Sequence, residues 1–149
     1  MSEKSETYVA LQIVMLPKDA NPLMTPLPGN PGGALYSTIF GGVILSYIDM
    51  AGATAARREV ALRGGSPDTK IVTVAVNRVE FKQPVLVGDV VRFETTVARL
   101  GRTSITMHIN VVSERAGTVI PVTESEVVYV NLGPDRQPVP LLPAVPGAP

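Results

Sequence analysis

The chain predicts an α+β domain in which an antiparallel β-sheet of about five strands wraps around one long central helix. Three observations carry that expectation. The segment "TIFGGVILSYIDMAGA", Thr38 to Ala53, is apolar or small almost throughout and reads as the first half of a helix enclosed by other structure. Later segments alternate apolar and polar residues and are divided by short turn signals. One helix and one such sheet can bury their apolar faces together only if the sheet curls round the helix.

Taken in order, "TYVALQIVML" at Thr7 to Leu16 is rich in β-branched and aliphatic residues and stops at Pro17, as a first strand does. "PKDANPLMTPLPGNPGGALYS" follows, with too much Pro and Gly for a helix or central strand, and reads as a loop. The helix opens at Gly41-Gly42 and emerges into solvent at Arg57, Arg58 and Glu59. Gly64-Gly65 and Pro67 end it. Roughly twenty residues give it a length of about 30 Å. Four strands are then expected as a meander, "KIVTVAVNRVEFKQ", "DVVRFETTVARL", "TSITMHINVVSE" and "TVIPVTESEVVYVNL", joined through "LVGD", "LGRT" and "ERAGT". In the third, Ile105, Met107, Ile109 and Val111 alternate with Ser104, Thr106, His108 and Asn110, so one face is apolar. Pro121 marks part of the last strand as an edge or a late start. Beyond Gly133 the prolines are too frequent for the sheet, and an extended or disordered tail is expected.

Composition narrows the function. The chain has 149 residues, 45% hydrophobic and 17% charged, which suits one folded domain. Thirteen basic residues balance thirteen acidic ones, so no overall field draws it to nucleic acid or an anionic membrane. There is no cysteine for a disulfide, thiolate nucleophile or Cys-ligated metal, and one histidine rules out a His-rich metal site. The polar start "MSEKSETYVA" and the lack of an uninterrupted spanning run point to a cytoplasmic protein with no membrane partner.

Asp49 is the anomaly, a carboxylate near the middle of an oily helix. Such a group is either paired structurally, with backbone or with hydroxyls such as Ser46 or Thr54, or exposed to a cleft. Gly41 and Gly42 either let helix and sheet pack closely or present free N–H groups to an oxyanion at the helix start. His108 falls on the polar side of its strand, away from the apolar face that covers the helix.

Four blocks settle the direction. "MLPKDAN" at Met15 to Asn21, "TIFGGVILSYIDMAGA" at Thr38 to Ala53, "VTVAVNRVEFKQPVLVGDVV" at Val72 to Val91 and "RLGRTSITMHINV" at Arg99 to Val111 together resemble the hot-dog-fold acyl-CoA thioesterases, the cytosolic acyl-CoA hydrolase group. The likeness runs from Thr7 to about Pro140. It implies a single hot-dog domain over residues 1–140 with a Pro-rich tail at 141–149. It also implies hydrolysis of acyl-CoA to free acid and coenzyme A, with no metal and no cofactor beyond the coenzyme A of the substrate.

The resemblance also implies roles. Asp49 matches the family's general base or nucleophile, Gly41 and Gly42 the turn at which the thioester carbonyl points, and Asn21 the polar positioning group. Eight residues, about 12 Å of helix, separate Gly41 from Asp49. In the similar enzymes the acid of one protomer faces the Asn and helix start of its partner. A homodimer is therefore the minimal unit, and a hexamer of three dimers follows by analogy. Arg102, Thr103 and Ser104 match the segment near the nucleotide, with Arg57, Arg58, Arg78 and Lys82 as weaker candidates for the phosphates. Phe40 and Tyr36 are assigned to the acyl substrate, Tyr36 and Ser37 at its entrance.

One departure from the family is plain. Residues 22–37 look inserted between the "DAN" and "FGG" blocks, which makes Asn30 a rival to Asn21. Two other readings stay open: a non-catalytic acyl-CoA-binding sensor, and a dehydratase acting on enoyl thioesters, which would want a His-Asp pair.

Overall fold

In the computed structural model, residues 6–23 and 37–144 are described. Strand β1 (Tyr8–Val14) leads through a 3-10 turn (Pro17–Asp19) towards helix α1 (Gly41–Leu62). Strands β2 (Ile71–Asn77), β3 (Val90–Leu100), β4 (Ser104–Arg115) and β5 (Thr118–Asn131) follow. All pair antiparallel in one five-stranded sheet of order β1-β3-β4-β5-β2.

That order corrects the expected meander. Only β3, β4 and β5 are joined as successive hairpins; β2 pairs with β5 at one edge, and β3 with β1 near the other. "RVEFKQ" alternates like strand but leaves the sheet after Asn77. Residues 78–89 instead cross the end of the sheet, with the Lys82 N–H donating to Val122 O and the Ile39 N–H to Val85 O. Alternation reports which face a side chain takes and carries no information about the partner strand.

Helix α1 lies on the concave face. Ile44, Ile48, Ala51, Ala55, Ala56 and Val60 are buried against Phe93, Ile105, Met107, Ile109, Val111 and Val127. The Tyr47 and Phe93 rings meet at 5.9 Å between centroids. Removing the Phe93 ring from such a core costs about 3–5 kcal/mol by general experience with aromatic truncation. The helix is not enclosed all round, however. Leu45 and Met50 are 40% and 50% exposed, and edge strand β2 leaves Val72, Val74 and Val76 exposed as well. A five-stranded sheet covers one side of a helix and leaves the other side apolar and open.

Pro121 lies in the half of β5 that β2 does not reach, next to a register shift opposite Val111 and Val112. An edge position is where a residue without an N–H belongs. Beyond Gly133 the chain stays out of the five-stranded sheet, as expected, but docks against it. Leu132 bridges to Pro138, the Val139 N–H donates to Asn131 O and the Leu141 N–H to Arg102 O. Leu141 is 3% exposed and belongs to the core. Prolines bar ladder pairing but do not prevent docking. Among the described residues no helix is long and apolar enough to cross a membrane.

Candidate active site

Asp49 stands on α1, half-buried, facing the junction with β2 and β5. The Thr73 hydroxyl of β2 donates to Asp49 Oδ1 at 2.7 Å. The Tyr129 hydroxyl of β5 lies 2.8 Å from the Asp49 main-chain oxygen and 3.2 Å from Oδ1. Neither Ser46 nor Thr54 holds the carboxylate: Ser46 Oγ donates to Val43 O, and Thr54 is exposed. Tyr129 is 1% exposed. Burial, and then the adjoining carboxylate, hold its phenol far above the ordinary tyrosine range, so it is a neutral donor. No ion pair involves Asp49 among the described residues.

The helix start is assembled from three chain segments. The Asn21 N–H donates to Thr38 O, the Phe40 N–H to Asp19 O, the Ile39 N–H to Val85 O and the Val87 N–H to Ser37 O. Residues 37–40 are thereby laced between 19–21 and 85–87, which brings Asn21 beside the entry to Gly41. The Asn21 side chain accepts from the Leu23 N–H at 3.0 Å, an Asx turn. Phe40 occupies the N-cap with no side-chain hydrogen bond, and the first turn carries no acid. The N–H groups of Gly41 and Gly42 head the helix, where no earlier turn supplies acceptors. A Cβ on Gly42 would lie 2.8 Å from the Phe40 ring, so glycine is what lets that half-exposed ring fold over the turn. An apolar cleft of about 220 Å³ beside Gly41 is lined by Ile39, Ile44, Phe81 and Val85.

Two buried carboxylates that the sequence reading passed over build this corner. Asp19 accepts from the Leu16 N–H and from Lys18 Nζ. Asp89, 3% exposed, accepts from Arg115 Nε at 2.9 Å, Arg115 Nη2 at 2.7 Å, Ser113 Oγ at 2.8 Å and the Leu86 N–H at 3.0 Å. Burial alone would raise the Asp89 carboxyl, but Arg115 and the other donors outweigh it and hold it below the usual carboxylate range. Asp89 thus clamps the segment that presents Val85 O to Ile39. "VGD" is a turn signal, and nothing in it announces a salt bridge to a residue 26 positions further on.

The turn at Gly101–Ser104 sits at the opposite end of the sheet. Thr103 O accepts from the Asn131 N–H, Arg102 O from the Leu141 N–H, and the Arg102 side chain is exposed. Among the weaker cations, Arg57 donates to Pro67 O, Arg58 pairs with Glu59 and covers the Tyr8 ring, and Arg78 pairs with Glu80. His108 meets Glu124 on the outer face. Tyr36 and Asn30 lie outside the described residues. Among the described residues no group of three or more His, Cys, Asp or Glu could hold a metal ion.

One chain therefore joins Asn21 to Gly41-Gly42 but holds Asp49 two turns down the same helix, about 12 Å away along the axis. The helix clasped by a curled antiparallel sheet is the hot-dog fold, and comparison with known proteins narrows it further. The thioesterase superfamily model matches residues 36–120. An uncharacterized acyl-CoA thioester hydrolase of Buchnera aphidicola subsp. Baizongia pistaciae is 35% identical over 147 residues, 95% of this chain and 94% of that relative. The acyl-CoA thioester hydrolase YciA of Salmonella typhimurium is 38% identical over 108 residues, 69% of this chain and 76% of YciA. Among solved structures, Cj0915, a hexameric hotdog fold thioesterase of Campylobacter jejuni, aligns with a TM-score of 0.69 at 34% identity over 89% of this chain and 88% of its own. The chain belongs to the thioesterase superfamily and, within it, to the acyl-CoA thioester hydrolases.

Proposed function

We propose that this protein hydrolyses acyl-CoA thioesters to free acid and coenzyme A at a site shared by two protomers, Asp49 from one and Asn21 with Gly41-Gly42 from the other. The observation that carries the reading is the separation within one chain: the carboxylate faces the junction of the helix with edge strand β2 while the donors for an oxyanion gather at the helix start, two turns away. The exposed valines of edge strand β2, with Leu45 and Met50, supply a surface on which a second copy can add its own β2 and bring the two halves together. Three such dimers would give the hexameric assembly described for Cj0915.

The thioester carbonyl oxygen sits against the N–H groups of Gly41 and Gly42, where a free helix start stabilises the charge that develops on it. The acyl carbons enter the apolar cleft at Ile39, Ile44, Phe81 and Val85. The partner's carboxylate, arriving on the other side, takes the proton of an attacking water; the tetrahedral intermediate collapses, the C–S bond breaks, and the proton passes to the departing thiolate. Direct attack by the carboxylate uses the same placement and forms a mixed anhydride that water then opens; label found in Asp49 after a single turnover in ¹⁸O-water marks that covalent route. Asn21 orients the water or the carbonyl, and Arg102, with Thr103 and Ser104, meets the nucleotide phosphates.

The test is thiol release from a panel of acyl-CoAs by the purified protein with Asp49→Ala alongside. Loss of general acid–base catalysis predicts a fall of about 10²–10⁴ in turnover for the variant. Undiminished turnover would refute the assignment, and binding without turnover by the unmutated protein would make it a sensor.

A further inference from the structure

The buried hydroxyl of Tyr129 has no part in the chemistry above, yet the fold makes room for it at a cost. Gly52 stands inside α1, where glycine is worth about 1 kcal/mol less than alanine. A Cβ there would lie 2.3 Å from the Tyr129 oxygen and 3.1 Å and 3.2 Å from its ring carbons. The missing side chain is the space in which the phenol reaches Asp49. Among the described residues no charged side chain pairs with the carboxylate either. Between Gly41 and Ala56 it is the only charged residue of α1, and neither Ile71–Asn77 of β2 nor Val127–Asn131 of β5 contains one. Hydroxyls alone orient it.

We propose that Tyr129 is a positioning residue for Asp49: its hydroxyl, together with that of Thr73, occupies Oδ1 and so leaves Oδ2 as the oxygen that works on the thioester. A phenol has a single proton, here with two acceptors in reach, the Asp49 main-chain oxygen at 2.8 Å and Oδ1 at 3.2 Å. It turns towards Oδ1 while the carboxylate is anionic and back to the main-chain oxygen once Asp49 has gained a proton. The carboxylate plane is thereby held through the cycle without a cation that would suppress its reactivity. The inference rests on Asp49 being the reacting acid.

Steady-state thiol release from acetyl-, hexanoyl- and palmitoyl-CoA by the full-length oligomer tests it, with Tyr129→Phe and Asp49→Ala compared at matched oligomeric state. Tyr129→Phe keeps the ring and the core. Losing one hydrogen bond to the reacting group predicts a kcat about tenfold lower with KM changed less than twofold. A second readout is the carboxylate stretch assigned to Asp49 by infrared difference against Asp49→Ala, which shifts in Tyr129→Phe because Oδ1 loses a donor. An unchanged kcat with an unshifted band overturns the proposal, as does a fall in kcat that merely tracks a loss of folded protein. If Asp49→Ala itself turns over normally, the catalytic reading of Asp49 fails first and the role of Tyr129 falls with it.

Discussion

Gly52→Ala is the substitution in which helix propensity and packing disagree most sharply. Propensity alone makes the change favourable by about 1 kcal/mol. Against it stands the added methyl, 2.3 Å from the Tyr129 oxygen where ordinary contact begins near 3.4 Å, so about 1 Å of movement must be found in a close-packed core. Overpacking of that kind costs about 1–3 kcal/mol, and the displaced phenol loses its bonds to Asp49, roughly another 1 kcal/mol. The net expectation is a loss of about 2 kcal/mol of stability, with activity falling because Asp49 loses its orientation. Urea unfolding of the parent, Gly52→Ala, Tyr129→Phe and the double variant forms the assay. Without the hydroxyl only the 3.1 Å and 3.2 Å contacts remain, so the second substitution should recover about 1 kcal/mol of what the first removes. Gly52→Ala as stable as the parent, or a penalty indifferent to Tyr129→Phe, would refute the reasoning.

Two further outcomes follow from the same geometry. Asp89→Ala strands Arg115 and should cost about 3 kcal/mol, at the low end for a broken buried pair because the Arg115 side chain is 36% exposed and can be rehydrated. Since the folded Asp89 carboxyl lies below its unfolded value of about 3.9, its contribution is complete above that pH and is lost as pH falls through the folded value. Unfolding midpoints of parent and variant should therefore differ fully at pH 7 and draw together only as pH falls below about 4; a difference already lost at pH 6, or one that grows on acidification, contradicts the clamp. Val74→Lys places a charge on the 55% exposed centre of edge strand β2. The variant should sediment as a folded monomer with activity reduced at least 100-fold, a loss on the scale of a missing acid–base group, and a fully active dimer would remove β2 from the proposed interface.

Much of the architecture is legible in the chain because its signals are local. The helix is announced by its glycine start and its length, and β4 by the strict alternation of Ile105, Met107, Ile109 and Val111. Strand partnership is not local. "RVEFKQ" alternates as well as any strand, yet it leaves the sheet to cross past the helix start, a choice made by tertiary contacts such as that of Lys82 with Val122. The docking of the tail is hidden for a similar reason: proline forbids a ladder, but Leu141 and Leu142 pack on the core and the Leu141 N–H and Pro140 O find partners on the body of the fold. At the candidate site, Asp49 stands out because charge is rare in an oily helix. Its supports do not. Thr73 is one hydroxyl in a valine-rich strand and Tyr129 one aromatic among valines, and only the fold puts them against the same carboxylate. The same holds for Asp89 and Arg115, which are 26 residues apart and meet across a strand pair.

Division of the active site between two protomers is tested directly by subunit mixing. Asp49→Ala and Asn21→Ala proteins, each prepared separately with strongly reduced turnover, are dissociated, combined in equal amounts and reassembled. A two-fold dimer with shared sites places both defects in one site of each mixed pair and leaves the other intact, so about a quarter of the parent activity should return. Mixed dimers that form, as shown by mass spectrometry, and yet regain nothing would mean that each site is built within one chain.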